Sequence, residues 1–178
     1  METPAHPSDP NAPPELLILT KALVAQSQLE AAITLWFNYG DPISIHALAV
    51  AAQDCYSAMS SNAGKKSKFG EWLKSRPKGF QDRARYVQNF IKHGWKNLTG
   101  QTKYMPILGE ALILDAIECH ENVFGKKTHL MTLFIARFLL ERPGTAIKKV
   151  SLAIQNAANV YDFTREDRTQ FFNKRINK

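Results

Sequence analysis

Cysteine is scarce in this chain. The only two, Cys55 and Cys119, form no Cys-x-x-Cys pair and no Cys/His ligand spacing, which excludes a disulfide framework and a zinc-ribbon type of site. Both fall within helical patterns and read as buried free thiols of a reducing, cytoplasmic compartment. Long apolar runs are missing too. The most continuous, Leu130 to Leu140, is broken by Thr132 and Arg137 and is far shorter than the roughly 20 residues of a membrane span, so no membrane partner is expected. The N-terminus has no basic segment leading into an apolar one, so it is not a secretory signal. A phosphate-binding loop, a dinucleotide-binding glycine pattern, GxSxG and HExxH are all absent, and no cofactor is expected.

What is present is helical periodicity. No segment alternates as a strand does. The 178 residues, 44% of them hydrophobic, fit one domain able to bury a core without disulfides or metal. Five prolines in residues 1–14 predict a disordered leader, residues 15–163 a helical bundle, and residues 164–178 a basic C-terminal helix or tail. The first helix is expected from Pro14 or Glu15 to about Tyr39, with Leu16, Leu19, Leu23, Leu29, Ile33, Trp36 and Phe37 near one face. Gly40 supplies a left-handed stop, and Asp41 and Pro42 cap a second helix to about Met59, which makes an antiparallel hairpin. Ser60 to Lys68 reads as a flexible basic loop, and FGEWL (Phe69 to Leu73) as one short helical turn. Further helices are predicted from Phe80 to Lys96, from Pro106 to Gly125, from an N-cap at Thr128 to Arg142, and from Thr145 to Val160. A last one follows a capping box of Thr164 and Asp167. The fold class is all-α: a single-domain bundle of about five to seven helices opening with a helix hairpin.

Net charge is +7, and its distribution matters more than its size. From Lys65 to Lys103 eleven Lys/Arg face only Glu71 and Asp82, a local net of +9, whereas twelve face fourteen in the remainder. A surplus confined to one segment is the footprint of a surface meeting phosphate or another acidic partner. Within it lies YVQNFIKHGWKN, Tyr86 to Asn97. At 100° per residue Phe80, Ala84, Val87 and Ile91 make a core stripe flanked by Tyr86, Phe90 and Trp95, while Arg85, Asn89 and His93 form a row at i, i+4, i+8 beside Lys92 and Lys96. An imidazole, an amide and a guanidinium on one face are the groups that move a proton, orient a substrate and hold negative charge. Metal-free RNA cleavage needs these same parts, and a twofold axis would supply a second set.

This pattern resembles the HEPN superfamily of small α-helical proteins: a bundle opening with a long helix hairpin, YGDPISIHALAVAAQ (Tyr39 to Gln53) at that hairpin, and NFIKH, Asn89 to His93, on a later helix. The likeness covers most of Glu15 to Arg142. Ribonuclease members carry an arginine, a polar residue, three variable positions and a histidine. Asn89 to His93 match the polar-x3-His part, and Gln88 stands where the arginine belongs. Arg85 is one turn earlier, with seven residues between it and His93. The resemblance therefore implies a homodimer that engages single-stranded RNA or a nucleotide. It is either a degenerate metal-independent endoribonuclease, with His93, Asn89 and Arg85 catalytic, or a member that kept the scaffold and lost the nuclease. Nucleic-acid contacts are expected from Lys65, Lys66, Lys68, Arg85, Lys92, Lys96 and Trp72, with Tyr104 a second ring free to stack on bases. The competing reading is a non-enzymatic interaction module whose basic patch docks an acidic protein. Elsewhere, His46 is expected at the surface of the second helix or at an interface. Glu118, His120 and Glu121 read as a solvated face rather than a metal site, Asp54 and Glu30 as ordinary lone acids, and Met59, Met105 and Met131 as core fillers.

Overall fold

A computed structural model describes residues 18–93, 98–142 and 167–176, apart from the side chains of residues 80 and 83–85. All regular structure among them is helical: α1 (Lys21–Phe37), α2 (Pro42–Asn62), α3 (Lys68–Lys74), α4 (Lys78–Lys92), α5 (Ile107–Phe124), α6 (His129–Glu141) and α7 (Arg168–Asn173). The leader, Leu16, Trp95, Lys96, Thr164 and the helix expected from Thr145 lie outside the described residues. No described helix is long and apolar enough to cross a membrane.

Side-chain oxygens at the caps set most boundaries. The Thr20 hydroxyl accepts from Leu23 N, Asp41 from Ser44 N with Pro42 at the first helical position, Ser67 from Gly70 N, Thr128 from Met131 N and Asp167 from Gln170 N. Asp167 is thus itself the N-cap of the last helix, not the acidic member of a box begun at Thr164. α5 ends at Gly125, whose φ of +72° is the left-handed conformation glycine adopts most cheaply. The α1–α2 turn departs from expectation. Tyr39, not Gly40, takes the left-handed backbone (φ +52°), and Gly40 is needed for closeness: a Cβ there would meet Leu35 Cδ2 at 2.9 Å.

The core is a four-helix arrangement. α1 and α2 form the antiparallel hairpin, and α2 runs parallel to α5, since Tyr104 reaches Pro42, Gln53 reaches Asp115, and Ser60 reaches Asn122 in rising order. Small buried residues on both helices, Ala49 and Ala52 on α2 and Ala116 on α5, together with Gly109 lying against His46, let α2 and α5 approach closely. α3 and α4 form the crossover that a parallel pair requires. α6 returns antiparallel to α5 and lays Phe134 edge-on to Trp36 with ring centroids 4.7 Å apart. α7 closes one end, where Phe171 is buried and Phe172 stacks on Phe37 at 5.0 Å.

Three burial expectations are corrected. Leu19 and Leu23 do not join the core; Leu19 is 66% exposed, because α1 starts only at Lys21 and Leu19 precedes it, and Leu23 is about half exposed. Met105 is exposed, while Met131 is fully buried. His46 is not at the surface but 2% exposed, because the Tyr104 ring closes over it edge-on at 5.3 Å and the α5 backbone at Gly109 lies against it. Burial lowers its pKa to about 4, so the ring is neutral at pH 7.

Candidate nucleic-acid interface on helix α4

Helix α4 touches the bundle through α2. Val87 is buried, with Phe90 and Ile91 half-buried beside it. Two polar side chains one turn apart then fix the helix's rotation. Gln88 Nε2 donates to Asp54 Oδ1 at 3.2 Å, and Lys92 Nζ pairs with the same carboxylate. Residues at i and i+4 share a helix face, so this row points at α2. Tyr86, Asn89 and His93 are thereby turned outward, and at 100° per residue they fall within an arc of about 60°. Tyr86 is 52% exposed, and Asn89 and His93 are exposed. His93 is the C-cap, its N–H donating to Asn89 O at 2.9 Å while its own backbone leaves the helix (φ −122°, ψ 35°).

This clamp gives two of the motif residues structural work. Gln88, where a ribonuclease of the resembled family has arginine, binds a carboxylate, and Lys92 is compensated by Asp54. Asp54 is therefore not a lone acid. Arg85 lies on α4, but its side chain is outside the described ones. Tyr86, expected to flank the core stripe, instead offers its ring to solvent beside Asn89 and His93.

The basic loop between α2 and α3 is anchored rather than free, contrary to its composition. Lys65 N donates to Ser60 O at 2.9 Å, Lys65 Nζ to Asn122 O, and the Ser67 hydroxyl to the buried Asp115 carboxylate. Burial pushes the Asp115 carboxyl up from its usual range, against the Ser67 and Gln53 hydrogen bonds that pull it down. Lys68 N donates to Glu118 Oε2 at 3.0 Å, with its Nζ 3.7 Å from the other oxygen. That Nζ pair is exposed and holds the lysine weakly, at about 0 to 1 kcal/mol. Among the described residues, no carboxylate lies against Lys66, Lys74 or Lys78, all exposed. Trp72 is 44% exposed and engaged by Phe69, stacked at 5.5 Å, and Arg76, 5.0 Å from its ring centre. Tyr104 is not free to stack: its hydroxyl donates to Pro42 O at 3.1 Å and its ring covers His46.

Two further clusters escaped the sequence. At the α7 end, Glu110 accepts from Trp36 Nε1 at 2.9 Å and pairs with Arg142 at 2.7 Å, while Glu141 takes Arg137 at 2.9 Å and Arg168 at 2.6 Å. The Arg168 guanidinium lies 3.8 Å from the Trp36 ring centre. Apart from the i,i+4 pair Arg137–Glu141 on α6, these residues come from separate elements, α1, α5, the end of α6 and α7, that no local spacing links. At the other end His120 is 5% exposed, against the expected solvated face, because Tyr56 and Phe124 pack on it at 5.2 Å and 4.7 Å. Among the described residues no three His, Cys, Asp or Glu side chains are placed to hold a metal ion.

No family model, no curated protein and no solved structure matches this chain, so the site stands on its own geometry.

Proposed function

We propose that this is a HEPN-like helical protein that engages single-stranded RNA or a nucleotide through the outer face of α4. The observation that carries the reading is the rotation of that helix. Asp54 holds Gln88 and Lys92 inward, and an aromatic ring, an amide and an imidazole are left together on the solvent side. Tyr86 offers a stacking surface for an unpaired base, Asn89 a donor and acceptor for a base edge, and His93 a donor for phosphate. Lys66, Lys74 and Lys78 supply charge along the same basic segment. Pairing of two chains along α4 would join two such faces into one groove. Free cysteines at Cys55 and Cys119 fit a cytoplasmic setting.

Binding is favoured over cleavage. The position that should bring a guanidinium to the phosphate carries Gln88, already committed to Asp54. Lys92, the cation next to His93, is likewise paired with Asp54, which leaves the imidazole without an uncompensated cation of known position to stabilise a pentavalent phosphate.

The test is titration of labelled single-stranded RNA at low and raised salt, with cleavage followed in chelator. Affinity should fall steeply with salt as counterions stay on the polymer. No detectable binding at low salt would shift the reading to an acidic protein partner, and chelator-resistant cleavage abolished by His93→Ala would restore the nuclease.

A further inference from the structure

A cleft lies at the opposite side of the bundle from the α7 ion cluster, and α4 is not among its lining. It measures about 530 Å³ and is lined by Ala22, Leu23 and Gln26 of α1, His120 and Phe124 of α5, and the Lys126–Thr128 turn that leads into α6. Its composition is two-sided. Leu23 and Phe124 are large apolar side chains left substantially exposed, and they form one wall. The rim carries two lysines: Lys127 pairs with Glu121, and Lys126 is exposed with no ion pair among the described residues, while the other nearby carboxylate, Glu30, is tied back to Gln26 at 3.0 Å. Thr128 caps the 13-residue α6, so the positive end of that helix dipole opens on the same rim.

The floor carries the independent observation. His120 lines the cleft yet is 5% exposed, and its Nδ1 has no hydrogen-bond partner. Leaving a buried polar atom unpaired costs about 1 to 3 kcal/mol, and most buried polar atoms find a partner in protein, water or a bound group, so an unpaired one that lines an open cleft can be completed from it. The ring cannot swing away, being wedged between Tyr56 and Phe124. A cationic rim, an apolar wall and a hidden imidazole make complementary demands: a negative head, a hydrocarbon body and a polar atom within reach of the floor.

We propose that this cleft binds a small amphipathic anion, a carboxylate or phosphate group carrying a short aliphatic chain, with the head between Lys126 and the start of α6 and the chain along Leu23 and Phe124. The site is separate from α4 and does not depend on RNA binding.

Calorimetric titration of the full chain with octanoate and octyl phosphate, beside octylamine and inorganic phosphate, tests the assignment. Both amphipathic anions should bind at least tenfold more tightly than octylamine or phosphate alone. Lys126→Glu, an exposed change, should weaken them at least tenfold while leaving the melting curve in place, and Leu23→Asp should do the same through the wall. Equal binding of octanoate and octylamine, equal binding of phosphate and octyl phosphate, indifference to Lys126→Glu, or no binding of either anion at millimolar concentration each overturns it.

Discussion

His46 combines two properties that seldom coexist: it is a titratable ring, and both its nitrogens are buried without a hydrogen-bond partner. Burial lowers its pKa to about 4, from 6.5 in an unfolded chain, so folding excludes a proton that the unfolded state takes up. The stability this neutral ring preserves is complete above pH 6.5 and is lost as pH falls toward about 4, where the folded ring also protonates. The full loss is about 3 kcal/mol. Denaturant unfolding near pH 7 and near pH 4.5 should therefore show less pH dependence in His46→Leu than in the native chain, by ~2 kcal/mol. An identical pH dependence would mean that water reaches the ring. Sequence could not place this residue, because its lid, Tyr104, arrives from a segment 58 positions away. Helical phase alone had put it off the core stripe.

At the scale of elements, local chemistry was largely legible and rotation was not. The Asp41–Pro42 start, the Thr128 cap and the Gly125 stop all stand where side-chain capping chemistry puts them, since each acts within four residues. How α4 is turned depended on a single acid on another helix. Asp54→Ala removes the acceptor for both Gln88 and Lys92. The clamp is half exposed, so the global loss should be small, about 0.5 to 1 kcal/mol. The local effect should be larger: amide exchange across α4 should accelerate while α2 and α5 stay protected, because the other described contacts of α4 are few, the apolar Val87, Phe90 and Ile91 and the Gln81 hydrogen bonds to Lys74 O and Arg76 O. Unchanged exchange in α4 would show that the apolar contacts suffice and that Asp54 does not set the face presented to solvent.

For the molecule as a whole, the basic C-terminal segment turns out to be part of the bundle. Phe171 is 1% exposed against Phe37, and Arg168 links Glu141 to the Trp36 ring. Burial pushes the Glu141 carboxyl up, but the hydrogen bonds from Arg168 and Arg137 outweigh it and hold the group below its ordinary range. Phe171→Ala should cost about 3 to 5 kcal/mol in denaturant unfolding, and a loss below about 1 kcal/mol would show that α7 is dispensable. The all-α class was readable from periodicity, and the crossover between parallel α2 and α5 was not, because packing direction is decided by which small residues meet.

The central claim is that Tyr86, Asn89 and His93 form the surface that meets RNA. Fluorescence anisotropy of a labelled single-stranded RNA at low salt, with the native chain and the exposed substitutions Tyr86→Ala, Asn89→Ala and His93→Ala, tests it most directly. Loss of one stacking ring should weaken binding roughly tenfold or more, with smaller losses for the amide and the imidazole and the helical fold retained. RNA bound equally well by all four proteins, or by none of them, would contradict the account.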